Sequence, residues 1–323
     1  MDGNISNRSF RILSLDGGAF AGVFTVRLLA EIERRSGKKI SDFFDAFSGI
    51  SAGAFLGAIM SFGDITANDL IDEIIFTIKN MRSNRKERIR TLWGALKPAL
   101  NHDKKWDGLY RYFADAQLKD LRIRGVFPIW DFENKKIRIF DSDADKNTYL
   151  CDVIYLSTGA NAVYGAVDSR LSEPKFSGSD LALYVNDPRL LALFNFKDQI
   201  HSKGAHILSI GSSLTPSEAQ QSAFKRGPLR WMNNILAELR QAQEAFVNQT
   251  MEFFNKESIL PIQSHLRLNM ISTKTADGFK GDDELNVYFL ELAEELIERR
   301  SYEIDRFIES CENNTKFHLP VIL

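Results

Sequence analysis

The sequence predicts an α/β fold of three layers, in which helices cover both faces of a mainly parallel central sheet and a helical extension follows at the C-terminus. Short apolar runs alternate with helical patterns over the first 212 residues, as in sheets with helical crossovers. Beyond about residue 215, a 3.6-residue period dominates. No fixed-period repeat divides the 323 residues, so we expect a single domain (1–323) with a core at about 10–212 and the extension at about 213–323.

The first strand and helix are the most clearly marked elements. The run Phe10–Leu15 is apolar and ends at a turn of small residues, which is typical of a buried strand. Apolar residues at helical spacing then predict a helix from about Gly22 to Arg35, which Gly37 stops.

Later elements follow from the same two periodicities and from turn signals. Predicted strands or strand-like runs cover 43–48, 125–132, 136–140, 206–210 and 266–272, and predicted helices cover 52–62, 66–81, 229–254 and 284–307. Thr66 and Asp69 form a variant of the capping box at the start of the helix over 66–81.

Composition excludes several classes of protein. The 41 basic and 43 acidic residues give a net charge of −2, which excludes a globally basic binder of nucleic-acid duplexes. The 44% of hydrophobic and 26% of charged residues are ordinary for a soluble protein and exclude disorder. Cys151 and Cys311 lack metal spacing, so we expect no disulfide framework, no metal site and no cofactor.

The sequence also contains no segment of about 18 apolar residues that could cross a bilayer. The N-terminal residues lack the basic start and apolar block of a signal peptide. We therefore expect a cytoplasmic protein.

The sharpest chemical signal is Gly49-Ile50-Ser51-Ala52-Gly53, which has the G-x-S-x-G pattern of a nucleophile elbow. Small residues on either side let the chain turn sharply from strand to helix, so that a serine hydroxyl projects clear of the sheet. The N-terminus of the following helix also favours the negative charge that develops during acyl transfer. Ser51 is the candidate nucleophile.

A second signal follows the first strand, where Asp16 precedes Gly17, Gly18 and Ala19. Consecutive small residues expose backbone N–H groups that can bind an anion. A nucleotide phosphate is one candidate, but neither the P-loop nor the G-x-G-x-x-G spacing is present. The segment better fits an oxyanion formed at the elbow.

The residue that activates Ser51 is open on these grounds. His201 or His206 could complete a Ser-Asp-His triad. His206 heads a predicted core strand and His201 lies in a charged segment, so structural roles are favoured for both. A carboxylate paired directly with the serine is the alternative.

Five motifs in this order resemble the patatin-like phospholipases, which hydrolyse lipid esters with a Ser–Asp dyad. The resemblance spans about residues 10–212. Its motifs are 16–22 (the family's Asp-Gly-Gly-Gly-x-Arg-Gly), 49–53 (the elbow), 156–162 (a small-residue stretch), 180–188 (beginning with the family's aspartate) and 207–211 (Ile-Leu-Ser-Ile-Gly).

The resemblance implies roles for individual residues. Asp180 takes the proton of Ser51, and the N–H groups of Gly17, Gly18 and Ala19 bind the oxyanion. It implies no cofactor and a phospholipid substrate from which a fatty acid is released. Asp168 and Asp187 are alternatives to Asp180, which is favoured because it keeps the family's offset from a tyrosine and a proline.

Three residues depart from the family pattern. Ala19 replaces a glycine and Ala21 replaces the arginine, whose charge is therefore lost. Leu181 replaces the glycine after the aspartate, which would be strained if that backbone were left-handed.

A basic segment offers a candidate membrane or anion contact. Its cationic residues are Arg82, Arg85, Lys86, Arg88 and Arg90. Apolar residues follow them at near-helical spacing, a pattern that suits an anionic membrane surface or an anionic nucleotide. A solvated helix packed on the core is the alternative.

These observations favour a phospholipase A or lysophospholipase that associates peripherally with membranes. By resemblance, an alternative is a membrane-degrading effector of bacterial anti-phage defence that a cyclic nucleotide activates. A third alternative is a lipid-binding or regulatory module that has lost catalysis, which the substitutions at 19, 21 and 181 would explain.

Overall fold

Strands and helices alternate along most of the chain. The computed structural model describes residues 8–18, 21–81, 102–159, 167–212, 228–270, 272 and 282–317. Within them the strands are β1 (Phe10–Leu15), β2 (Ala46–Gly49), β3 (Arg124–Asp131), β4 (Lys136–Asp141), β5 (Val167–Asp168), β6 (Ser177–Asp180), β7 (Ala205–Gly211) and β8 (Ile262–Asn269). The helices are α1 (Gly22–Ser36), α2 (Ile40–Phe43), α3 (Ala52–Phe62), α4 (Ala67–Met81), α5 (His102–Phe113), α6 (Leu150–Ser157), α7 (Arg189–Asn195), α8 (Lys197–Lys203), α9 (Pro228–Lys256), α10 (Asp282–Arg299) and α11 (Ser301–Asn313).

The eight described strands form one sheet in the order β5-β6-β3-β2-β1-β7-β8, with β4 paired to β3. The five strands from β3 to β8 on this path pair in parallel, whereas β4, β5 and β6 pair antiparallel. The prediction of a mainly parallel sheet is confirmed. Leu15 lies opposite both Gly49 and Ile210, so β1, β2 and β7 end at one edge of the sheet.

Alternate residues of the central strands enter two separate hydrophobic cores. Leu13 and Leu15 pack with helices α1 and α3 on one face. Phe10 and Ile12 pack with α7, α8 and α9 on the other face. Because side chains alternate along a strand and both faces of the sheet are covered, all six residues of β1 are buried, including the polar residues Arg11 and Ser14.

Local stop and start signals were predicted correctly in two places. Helix α1 ends at Gly37, which is left-handed with φ of 64°, and its N–H donates to the Glu33 carbonyl at 2.8 Å. Helix α4 follows Thr66, whose hydroxyl accepts the Asp69 N–H at 3.2 Å.

Other boundaries differ from the predictions. The run over 43–48 contains the end of α2, and β2 begins only at Ala46. The helical pattern over 284–307 is interrupted at Arg300, which separates α10 from α11. Strand β6 was missed, because its sequence Ser-Gly-Ser-Asp has no apolar alternation.

Candidate active site

Ser51 lies at the turn between β2 and α3, at the edge of the sheet where β1 also ends. Its backbone has φ of 52° and ψ of −120°, a conformation that residues with a side chain rarely adopt. The N–H of Ile50 donates to the Leu15 carbonyl at 3.1 Å, which fixes the turn against β1. Strain of this kind is typical of a nucleophile elbow.

Two glycines permit this turn because other backbone atoms lie where a Cβ would be. A Cβ on Gly49 would lie 2.5 Å from the Ala54 nitrogen. A Cβ on Gly53 would collide with the Leu15 carbonyl oxygen and lie 2.7 Å from that of Asp16. Helix α3 therefore begins in direct contact with the end of β1.

Asp180 is the last residue of β6 and lies opposite Ile129 of β3. Its N–H donates to the Gly159 carbonyl at 3.1 Å, and its carboxylate accepts the Ala182 N–H at 2.8 Å. The Ser51 side chain approaches this carboxylate closely enough to lower its pKa. The structure thus brings together the two residues that the sequence analysis assigned to a dyad.

Burial raises the pKa of Asp180 above the ordinary value for an aspartate. The nearby Ser51 hydroxyl and the hydrogen bond from the Ala182 N–H act in the opposite direction, as do the charges of Lys105 and Arg240. A raised pKa makes this carboxylate a stronger base toward the Ser51 hydroxyl than a solvated aspartate.

The other candidate partners of Ser51 have different surroundings. Asp168 is exposed on β5, and Asp187 is buried in an ion pair with Arg189. Nδ1 of His206 contacts the hydroxyls of Ser264 and Ser310. His201 is exposed, and lies in helix α8.

Of the predicted oxyanion donors, Gly17 and Gly18 are described and Ala19 lies outside the described residues. The N–H of Gly17 donates to the Asn186 carbonyl at 3.2 Å. The Gly17 carbonyl accepts the Ser212 hydroxyl. Among the described residues, no backbone carbonyl accepts the N–H of Gly18.

Two departures from the family motifs fit their positions without strain. Ala21 is buried at the N-cap of α1, and its N–H donates to the Gly18 carbonyl at 2.8 Å. Leu181 is fully buried and is not among the described residues with positive φ. A side chain at 181 therefore carries no left-handed penalty.

The sequence analysis missed Gln243 of α9. Its Oε1 accepts the Asn186 N–H at 3.0 Å, and its Nε2 donates to the Tyr184 carbonyl at 2.7 Å. Both contacts hold the loop over 181–188 that follows Asp180. No motif in the C-terminal third indicated this role.

Lys105 of α5 was missed as well. Its Nζ donates to the Tyr155 carbonyl at 2.9 Å. Burial lowers the pKa of Lys105 to about 7, although the negative charge of Asp180 acts to raise it.

The predicted basic segment, with Arg82, Arg85, Lys86, Arg88 and Arg90, lies outside the described residues. Among the helices that are described, none combines the length and apolar character that crossing a bilayer requires.

Several known proteins are similar to this chain. The family model described as "Patatin-like phospholipase" matches residues 13–185. A "cGAMP-activated phospholipase" of Pseudomonas aeruginosa is 26% identical over 259 residues, which cover 75% of this chain and 74% of that protein. A protein of the same name from Escherichia coli is 27% identical over 232 residues and 64% of each chain. The crystal structure of VipD from Legionella pneumophila aligns with 91% of this chain and 67% of its own, at 12% identity and a TM-score of 0.44.

Proposed function

The chain belongs to the patatin-like phospholipase family, and we propose that it hydrolyses phospholipid acyl esters with Ser51 as nucleophile and Asp180 as general base. The observation that carries this proposal is the approach of the Ser51 side chain, on its strained elbow, to the buried Asp180 carboxylate. A serine hydroxyl becomes an effective nucleophile when an adjacent base takes its proton.

In the first half of the reaction, Ser51 attacks the ester carbonyl carbon while Asp180 accepts its proton. The negative charge on the carbonyl oxygen is stabilised by the N–H of Gly18 and by the dipole of α3, whereas the N–H of Gly17, also a predicted donor, bonds the Asn186 carbonyl. The carbon–oxygen bond to the alcohol then breaks. Asp180 returns the proton to the leaving alcohol, and the acyl group remains on Ser51.

In the second half, Asp180 takes a proton from water, and the resulting hydroxide attacks the acyl-serine. The proton passes to the Ser51 oxygen as the fatty acid leaves. Burial keeps the pKa of Asp180 raised, which favours both proton transfers to its carboxylate.

Mass-spectrometric analysis of the products from mixed phospholipids, with wild type and Ser51→Ala, tests this proposal. We expect fatty acid from the wild type and none from Ser51→Ala at equal circular dichroism. Labelling of Ser51 by a fluorophosphonate probe distinguishes an active hydrolase from a lipid-binding or regulatory module, because a module that has lost catalysis would not react. Absence of both labelling and fatty acid release would contradict the proposed function.

Activation by a cyclic nucleotide is a second candidate property, as in an effector of anti-phage defence. Two relatives at 26% and 27% identity carry the name "cGAMP-activated phospholipase". We expect fatty acid release to rise on addition of cGAMP. Equal rates with and without cGAMP would contradict activation by this nucleotide.

We also propose that the enzyme attaches peripherally to membranes, from the cytoplasm, through the basic segment at 82–90. Lysines and arginines near an anionic surface each contribute about 1 kcal/mol of attraction, which salt weakens. Sedimentation with anionic vesicles at low and high salt tests this attachment. No binding at low salt would contradict it.

A further inference from the structure

A cluster of buried charged side chains adjoins the candidate active site and takes no part in the proposed reaction. We call it the Arg267 cluster. Its members are Asp16, Asp187, Arg189, Glu244 and Arg267. Arg267 belongs to β8, within the C-terminal extension where the sequence analysis found no motif.

Arg267 binds Asp16, the residue that precedes the two glycines of the oxyanion segment, through both terminal nitrogens. Its Nη1 donates to Oδ1 at 2.8 Å and its Nη2 donates to Oδ2 at 2.7 Å. The pairing of β8 with β7 places Arg267 opposite Ser209, whose hydroxyl accepts Nη1 at 2.7 Å. Bidentate hydrogen bonds of this kind fix the orientation of the two groups as well as the distance between them.

The same guanidinium approaches Asp187, with 3.7 Å between Nη2 and Oδ2. Arg189 binds both oxygens of this carboxylate, with its Nε 3.0 Å from Oδ1 and 2.9 Å from Oδ2. Burial alone would raise the pKa of Asp187, but Arg267 and Arg189 outweigh burial and hold this pKa below its ordinary value. Arg267 therefore separates two buried carboxylates that would otherwise repel each other.

The two loops that carry these carboxylates touch beside Arg267. The Gly17 N–H donates to the Asn186 carbonyl at 3.2 Å, and a Cβ on Gly17 would lie 2.7 Å from the Asn186 Oδ1. On each side of this contact, Arg267 reaches the neighbouring residue, which is Asp16 in one loop and Asp187 in the other.

We propose that Arg267 is a positioning residue, which holds the oxyanion segment over 16–18 against the loop over 181–188 that follows Asp180. This inference rests on the proposed function. Arg267 acts through the two loops and not by touching the substrate. Because transition-state hydrogen bonds depend on placement within a fraction of an ångström, loosening this contact lowers kcat more than it changes KM.

The test compares Arg267→Met with a matched control, Arg35→Met, in the full-length protein. Arg35 of α1 is equally buried, at 12% side-chain exposure, and is paired with Glu31 and Asp305. With a short-chain monomeric phospholipid we expect Arg267→Met to lower kcat by ~100-fold and to change KM by less than about threefold. Arg35→Met should keep the wild-type kcat, and Arg267→Lys, which retains the charge, should recover part of the loss.

A second variant covers the case in which Arg267→Met fails to fold because buried carboxylates are left unpaired. The double variant Asp16→Asn with Arg267→Met removes one of these buried charges together with the Arg267 side chain. We expect this double variant to recover stability toward the wild type while kcat stays low. Recovery of kcat together with stability would show a merely structural role and overturn the inference.

A folded Arg267→Met with wild-type kcat would also overturn it. Failure of the proposed function is distinguishable from both outcomes. In that case the wild type itself would release no fatty acid, and Ser51 would not react with the fluorophosphonate probe.

Discussion

The turn that carries Ser51 and the loop that follows Asp180 are held in different ways. The turn depends on backbone contacts with the adjacent strand β1. These are the hydrogen bond from the Ile50 N–H to the Leu15 carbonyl and the close approach of Gly53 to the end of β1. The loop over 181–188 depends on side chains from distant segments, among them Gln243 of α9.

This difference indicates where the turn and the loop each tolerate substitution. At the turn, a glycine lies in contact with backbone atoms that cannot move aside, so its identity is fixed by space. In the loop, Leu181 replaces the family's glycine and is accommodated in the core. Side chains from distant segments, such as Gln243, hold the loop by hydrogen bonds.

The largest expected effect comes from removing the carboxylate of Asp180, which we propose is the base that acts on Ser51. Asp180→Asn should lower kcat by at least ~10³-fold, because an amide cannot accept the Ser51 proton. Asp168→Asn is the matched control, since this carboxylate is exposed on β5, and should change kcat by less than about threefold. Fatty acid release by the two folded variants measures the difference. Near-normal turnover by Asp180→Asn would end the assignment of the dyad.

A second prediction concerns the backbone contacts at the turn. Gly53→Ala should reduce the free energy of unfolding by about 3 kcal/mol, because its Cβ would collide with carbonyl oxygens of β1. Gly108→Ala in α5 places its Cβ in open space and should raise the free energy of unfolding by about 0.5–1 kcal/mol. Urea titration measures both values. Equal stability of the two variants would refute the close approach at Gly53.

A third prediction concerns the distant support of the loop. Gln243→Ala removes two hydrogen bonds to the loop and should lower kcat by ~10-fold, with little change in stability. Gln249→Ala, an exposed glutamine of the same helix, should leave kcat unchanged. Steady-state kinetics on a monomeric ester compare the two. If both variants match the wild type, α9 does not support the loop.

The smallest expected effect is a change in the pH dependence of stability. Burial lowers the pKa of His206 to about 4, and the charge of Arg11 adds to this shift. The folded state therefore binds fewer protons than the unfolded state between about pH 6.5 and 4, so stability is full above this window and falls as the pH drops through it.

Between pH 6 and 5, the free energy of unfolding of the wild type should therefore fall with decreasing pH. That of His206→Gln should fall by about 1 kcal/mol less over the same pH unit. Urea titrations at several pH values measure the slope. His201→Gln, at an exposed histidine of α8, is the control for the same substitution at the surface. An unaltered slope in His206→Gln would mean that this histidine is not the buried neutral group.

Sequence reasoning predicted the elements that have a clear period and missed those that have none. The strand Phe10–Leu15 and the long helix at 229–254 were predicted within a few residues of their observed bounds. Strand β6 was missed although it ends at Asp180, because four small or polar residues give no alternating pattern. Asp180 was found by resemblance to a family and not by its local sequence.

The sequence by itself determined the parts of this protein that depend on neighbours along the chain. Glycine spacing around Ser51 specifies a sharp turn, and apolar runs specify buried strands, because both are local properties of the backbone. Only the tertiary structure decided which side chains meet. Arg267 reaches Asp16 through the pairing of β8 with β7, and Gln243 reaches the loop over 181–188 from α9. Buried charges need partners, and these partners can come from any part of the chain.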